Sequence, residues 1–199
     1  MAGRGRRLSR SFYDRDARIV APELLNKVLV AGAMRARIVE VEAYVGGGID
    51  PGSHAHRGRT KRNGVMFGPP GHLYVYFTYG MHWCCNAVCS PDGIASAVLL
   101  RAAAPMAGLD EMWSCRPKAR VERDLLSGPA KLCQAFGIEG RQDGIDLVGA
   151  EDGITIVDDG VAPPADPGVS TRIGLGVGMG DDLPWRWFVR GDVNLSRPG

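Results

Sequence analysis

The sequence predicts one mixed α/β domain of the α+β kind, and three observations predict it. The chain has 199 residues with 45% apolar content, enough to bury a core without help from disulfides or metal. Its short stretches of β-branched and aromatic residues are linked by tight turns of the hairpin kind, with short helical segments between them. No internal repeat or domain linker interrupts the chain, so strands and helices belong to one unit.

Taken in order, residues 1–17 read as a flexible basic arm, richest in arginine from Arg4 to Arg10, and residues 18–199 as the domain. Pro22 to Lys27 reads as a short helix with proline near its start. Lys27 to Ala31 and Arg35 to Tyr44 are strands that pair as a hairpin around Gly32. Gly46-Gly47-Gly48 and Asp50-Pro51-Gly52 open a loop that runs to about Pro70, longer than ordinary connections and so functional or disordered. Leu73 to Thr78 and Trp83 to Cys89 are strands joined through Tyr79-Gly80-Met81-His82, and Ala95 to Arg101 is a further, largely apolar strand. Met106 to Ser114 reads as a helix. So does Ala130 to Phe136, with Pro129 at its first position and Gly137 as its stop. Asp146 to Val148 and Ile154 to Val157 flank Ala150-Glu151-Asp152-Gly153 as an acidic hairpin, Pro163 to Pro167 is a loop, and Trp185 to Val189 is the last strand.

Composition narrows the function. The five cysteines form an odd number with no CxxC pair, which argues for a reducing compartment rather than a disulfide framework. No apolar run reaches the roughly 18 residues of a membrane span, and the charged start has no apolar segment behind it, so a cytoplasmic, nucleoid-associated protein is expected. The net charge of +2 hides a gradient: residues 1–100 carry 13 Lys/Arg against 7 Asp/Glu, and residues 101–199 carry 11 against 15. Twenty of the 24 basic residues are Arg, whose planar fork suits phosphate, although genome composition produces the same bias.

The chemistry concentrates between Arg37 and Arg62. Glu40, Glu42 and Tyr44 alternate along a strand and leave the same face, roughly 6 to 7 Å apart. His54, His56, Arg57, Arg59, Lys61 and Arg62 follow closely. Carboxylates beside an aromatic plate, with positive charge nearby, suit activation of water against a flat ring held near a phosphate backbone. The bland alternative is that Glu40 and Glu42 line a solvated sheet face. His82, Cys84, Cys85 and Cys89 crowd together, but their spacing does not match a zinc knuckle, and adjacent strand residues point to opposite faces. The run Gly174, Gly176, Gly178, Gly180 lacks the Walker and dinucleotide-loop spacings. No metal or organic cofactor is expected.

Several motifs occur in the order found in one family. They are Arg37-Ile38-Val39-Glu40-Val41-Glu42-Ala43-Tyr44, Ser53-His54-Ala55, Arg62-Asn63 with Met66-Phe67, Leu73-Tyr74-Val75-Tyr76 with Tyr79-Gly80-Met81, Asn86, and Leu99-Leu100-Arg101. Gly128 to Cys133, Arg172-Ile173-Gly174 and Pro184-Trp185-Arg186 complete the series. Over roughly residues 18–190 the chain resembles the alkyladenine (3-methyladenine) DNA glycosylases. The resemblance implies a curved, mostly antiparallel sheet flanked by helices and a monomeric, monofunctional base-excision repair enzyme without metal or cofactor. Such an enzyme hydrolyses the N-glycosidic bond of alkylated or deaminated purines in double-stranded DNA and leaves an abasic site.

By the same resemblance, Glu42 activates the water and Arg101 holds that carboxylate. Tyr44, His54, Tyr76 and Asn86 form the base pocket, with Asn86 turned against guanine's exocyclic amine, and Tyr79 is the intercalating wedge. Arg57, Arg59, Lys61 and Arg62 meet phosphates. A non-catalytic damaged-DNA or RNA binder on the same scaffold is the alternative. The chain departs from the family pattern at Lys61, where many relatives have proline, at His82-Trp83-Cys84-Cys85, and at Gly52, where the lost methyl predicts a slightly larger pocket.

Overall fold

Residues 5–149 and 153–198 are described by a computed structural model. Its strands are β1 (Arg6–Arg7), β2 (Val28–Ala31), β3 (Met34–Val45), β4 (Leu73–Thr78), β5 (His82–Cys89), β6 (Ser96–Ala107), β7 (Ile154–Asp158), β8 (Gly168–Ser170) and β9 (Arg186–Phe188). Its helices are α1 (Arg10–Tyr13), α2 (Ala17–Leu24), α3 (Leu109–Cys115) and α4 (Pro129–Phe136). The strands form one curled antiparallel sheet in the order β1-β7-β2-β3-β6-β5-β4, with β9 on β3 and β8 on β9.

The long strand β3 organises everything near the site. One of its edges runs along β6, while the other is shared, first by β2 opposite Met34 to Arg37 and then by β9 opposite Glu40 to Glu42. Where the partner changes, the β3–β6 ladder slips twice. Ile38 and Glu40 face the consecutive residues Ala103 and Ala102, so Val39 is an extra residue on β3. Glu40 and Val41 face Ala102 and Leu100, so Arg101 is an extra residue on β6. Bulges of this kind bend a strand and re-aim side chains. Here they fall on the two segments that carry Glu40 and Arg101.

Burial follows the alternation of β3. Val41 and Ala43 enter the main core with Leu29, Ile38 and Leu100 of the sheet and Leu24, Met112 and Leu132 of the helices. Glu40, Glu42 and Tyr44 therefore leave the opposite face, which is covered by loops. A smaller core of Ala55, Met66, Tyr74, Val88 and Ala97 lies beneath the long loop after β3.

The hairpin of β2 and β3, strands β4 to β6, β9 and the helix begun by Pro129 stand where the sequence places them. Other elements differ. The helix read from Pro22 is α2 and begins at Ala17, because the Asp16 carboxylate accepts from the Arg18 amide at 2.8 Å and caps it; Pro22 lies in the helix near its end. Strand β6 continues to Ala107 through residues read as helical, and Gly108, at φ 71°, turns the chain into α3. Strand β7 pairs with β2 and β1 rather than with Asp146 to Val148; Asp146 instead bridges to His72, and residues 150–152 lie outside the described residues. Of the region read as a flexible arm, the described part is built into the fold. Arg6 pairs with Asp158, Leu8 and Tyr13 are buried, and Arg10 contacts the Asp146 carboxylate at 2.7 Å.

Candidate active site

Two side chains pin the long loop that carries His54. Asp50 is fully buried and receives both terminal nitrogens of Arg172, at 2.6 and 2.7 Å, together with the Val45 and Gly52 amides. The Asn63 amide donates to the carbonyls of His54 and Gly58, at 2.8 and 3.0 Å, while its oxygen accepts from the Thr60 amide. These polar contacts order the loop together with the small apolar core to which it contributes Ala55 and Met66.

A cavity of about 210 Å³ opens between this loop, the β4–β5 hairpin and the segment after Arg172. That is several times the ~30 Å³ share of one water and below the ~300 Å³ at which pockets for drug-sized ligands begin. Its walls include Tyr44, His54, Tyr74, Tyr76, Asn86 and Arg101, so the structure brings together all four base-pocket residues and one of the two catalytic residues expected from sequence. Glu42 lies just behind the wall. Its carboxylate is fully buried, and Oε2 accepts from the Tyr44 hydroxyl at 2.8 Å and from Arg101 Nη1 at 3.2 Å. Oε1 accepts from the Ile173 amide at 2.7 Å. All three donors line the cavity.

The aromatic walls have fixed geometry. Tyr74 and Tyr76, on one face of β4, stack with centroids 5.5 Å apart and planes at 29°. His54 stands edge-on to Tyr76 at 4.6 Å and shares a 3.0 Å hydrogen bond with the Tyr74 hydroxyl. Burial of the imidazole against these rings, with the nearby Arg62 charge, lowers its pKa to about 4, although one edge of the residue stays open to solvent. One face of Tyr44 is covered by the Arg172 guanidinium at 4.5 Å, and the residue also lines the cavity. The buried Asn86 donates to the Tyr74 carbonyl at 3.2 Å, which fixes its amide in the floor.

At the rim, Tyr79 is 80% exposed at the tip of the β4–β5 hairpin. Tyr79 and Gly80 have φ of 51° and 66°, and the Met81 amide closes on the Thr78 carbonyl at 3.2 Å, so the tip has the two left-handed central residues of a type I′ turn. Glycine takes this conformation freely, whereas tyrosine is strained in it. Phe77 and Met81 are exposed beside it.

Arg57, Arg59 and Lys61 are exposed and enter none of the ion pairs formed among the described residues. Arg62 stands apart from them. It lies over the Tyr76 ring at 5.5 Å and donates to the Phe77 carbonyl at 3.1 Å, which makes it a brace of the pocket rim.

Two sequence expectations need correction. Glu40 does not line a solvated face: it is fully buried, with contacts at 2.6 to 3.0 Å from Arg101, Arg186 and Ser196. Gly52 does not simply enlarge the pocket, because a Cβ there would meet the Met179 carbonyl at 2.7 Å and Leu175 Cδ1 at 2.9 Å, so its small size admits the 175–179 loop. Tyr74, Ile173 and Leu175 line the cavity without having been selected from sequence. Tyr74 had a signal, since it shares a strand face with Tyr76; Ile173 contributes through its backbone, which no side-chain pattern reveals. Cys84 faces the cavity and Cys85 the core, and the described residues contain no group of three His, Cys, Asp or Glu side chains arranged to hold a metal ion.

Comparison with known proteins identifies the family. The family model described as "Methylpurine-DNA glycosylase" matches residues 11–193. A Burkholderia lata protein named "Putative 3-methyladenine DNA glycosylase" is 60% identical over 192 residues, covering 96% of this chain and 91% of that protein. Proteins of the same name from Streptomyces avermitilis and Carboxydothermus hydrogenoformans are 46% and 45% identical. They cover 95% and 96% of this chain and 90% and 98% of their own lengths.

Proposed function

The chain belongs to the methylpurine-DNA glycosylase family and is a DNA glycosylase of the 3-methyladenine type, and from that premise we propose how it selects and releases its base. The duplex is gripped over the cavity mouth, and Tyr79 enters the minor groove, where it fills the gap left by an extruded nucleotide. The damaged purine enters the 210 Å³ cavity between Tyr44 and the His54–Tyr76 pair. An alkylated purine carrying positive charge gains from the electron-rich face of Tyr44 what a normal base does not. Neutral His54 adds no opposing charge. Asn86, held by the Tyr74 carbonyl, rejects guanine's exocyclic amine by contact.

Glu42 is the centre of the reaction. A carboxylate offers about four acceptor positions, and the Tyr44 hydroxyl, Arg101 and the Ile173 amide fill three of them. The remaining position accepts from a water. As the bond from C1′ to the purine nitrogen breaks, its electron pair leaves with the base and C1′ takes oxocarbenium character. The water oxygen then bonds to C1′ and its proton passes to Glu42, leaving an abasic site and free base. The observation that carries this reading is the meeting of Glu42 and its three donors at the wall of an aromatic cavity. Arg57, Arg59 and Lys61 meet the phosphates, and the protein acts as a monomer in the cytoplasm, at the nucleoid. No described helix is long and apolar enough to cross a membrane.

The test is incubation with duplexes carrying single ethenoadenine, hypoxanthine or methylated purines, followed by alkali. Strand breaks with wild-type protein, insensitive to chelator, support the reading. Binding of damaged duplex without release of base would leave a non-catalytic binder.

A further inference from the structure

The segment from Asp192 to Pro198 closes over the end of the sheet that carries Glu40, and nothing in the reaction described so far uses it. Leu195 packs with Val39, Ala102 and Phe188 in a small separate core, and the Arg197 carbonyl accepts from Arg186 Nη2 at 3.0 Å. Between these anchors Ser196 reaches the buried network. Its amide donates to Glu40 Oε2 at 2.6 Å, its hydroxyl donates to Glu40 Oε1 at 2.7 Å, and that same hydroxyl oxygen accepts from Arg101 Nη2 at 3.2 Å.

Arg101 is thereby committed at every nitrogen: Nε to Glu40, Nη2 to Ser196 and Nη1 to Glu42. The guanidinium is planar, so fixing two nitrogens fixes the third. Glu40 receives two hydrogen bonds from Ser196 and one each from Arg101 and Arg186, three of them on Oε1 and one on Oε2. All four donors are protein groups, and the side chain is fully buried. The two carboxylates and the two guanidiniums also balance in charge, all with side chains no more than 8% exposed.

We propose that Ser196 and Glu40 are positioning residues for the glycosylase reaction: they clamp the bulged Arg101 so that its Nη1 meets Glu42 and keeps the carboxylate turned toward the cavity. This proposal rests on the catalytic reading above. Neither residue touches the base. Loss of the clamp lets Arg101 rotate, which costs rate at the chemical step and leaves DNA binding alone.

The experiment measures single-turnover base release under saturating enzyme, together with the Kd for a duplex containing a stable abasic analogue, for wild type, Ser196→Ala and Ser196→Thr. Ser196→Ala is expected to release base at least about tenfold more slowly with unchanged Kd, through loss of the two charge-assisted hydrogen bonds of the hydroxyl. Ser196→Thr, which keeps the hydroxyl, recovers most of the rate. Glu40→Gln, if it folds, shows a larger loss in the same direction. The proposal is overturned if Ser196→Ala releases base at the wild-type rate. It is equally overturned if the loss merely follows the unfolded fraction in a thermal melt, or if threonine restores nothing. A wild-type protein that releases no base removes the catalytic reading beneath it as well, so the two failures are distinguishable.

Discussion

The Tyr44 hydroxyl and Arg101 Nη1 converge on one oxygen of Glu42, at 2.8 and 3.2 Å, so a residue expected from sequence as a base plate is also a donor to the carboxylate. Burial, followed by the Glu42 charge, raises the Tyr44 pKa well above that of an ordinary phenol, which keeps the hydroxyl a donor. Tyr44→Phe keeps the ring and removes the donor. A hydrogen bond to a charged group is worth about 1.5–3 kcal/mol, so single-turnover base release falls about 10- to 100-fold while affinity for damaged duplex is retained. Rapid-quench measurement alongside duplex titration separates the two.

Tyr79→Gly is expected to divide stability from activity. Relief of the left-handed strain at φ 51° leaves the fold as stable as wild type or up to about 1 kcal/mol more stable in urea denaturation. Loss of the wedge lowers base release, because the extruded nucleotide returns to its stack. A 2-aminopurine placed beside the lesion reports the flipped state by its fluorescence, and the variant shows less of it.

Replacing Arg57, Arg59 and Lys61 one at a time by alanine is expected to weaken duplex binding without regard to sequence or lesion. Each change lowers the slope of log K against log salt by about 0.9. Affinities measured from low to moderate salt check this. Arg62→Ala behaves differently, with a smaller change in slope and a larger effect on release, because Arg62 braces Tyr76 and the hairpin carbonyl.

Two groups give the fold a defined response to acid. Burial alone would raise the Glu40 pKa, but the Arg101 charge and the hydrogen bonds from Arg186 and Ser196 outweigh it, and the net shift is downward. Its stabilisation is present above the unfolded carboxylate value of about 4.3 and is lost as pH falls through the lower folded value. His54 has a folded pKa of about 4, below the 6.5 of a free imidazole, so the unfolded chain binds its proton first. Stability from His54 is complete above pH 6.5, declines as pH falls toward 4 and declines no further below that. Proton NMR of the imidazole should place its inflection near 4; an inflection near 6.5 would contradict the packing against Tyr74 and Tyr76.

What was legible in the sequence depended on short-range regularity. The strands from Val28 to Cys89 alternate or cluster β-forming residues, and their turns carry glycine at Gly32 and Gly80, so they stand where they were expected. The face shared by Glu42 and Tyr44 followed from the period of two, and so did the shared face of Tyr74 and Tyr76. Burial was not legible. Glu40 reads as a solvent-facing carboxylate until Arg186 and Ser196 arrive from more than 140 residues away. Nor did the extra residue at Arg101 leave a local mark, since a bulge is a property of two strands in register. The arm also misled, because pairing of Arg6 and Arg7 with β7 depends on residues near the other end of the chain.

In the reaction proposed above, Glu42 delivers a water to the anomeric carbon of an extruded purine nucleotide. The most direct measurement follows the bases released from dimethyl-sulfate-treated duplex by wild type and by Glu42→Gln, under single-turnover conditions with the bases identified by mass. Wild type is expected to release methylated purines, and Glu42→Gln to bind the same duplex with release slowed by at least about 10²-fold. Release by Glu42→Gln at the wild-type rate would rule out Glu42 as the residue that activates the water.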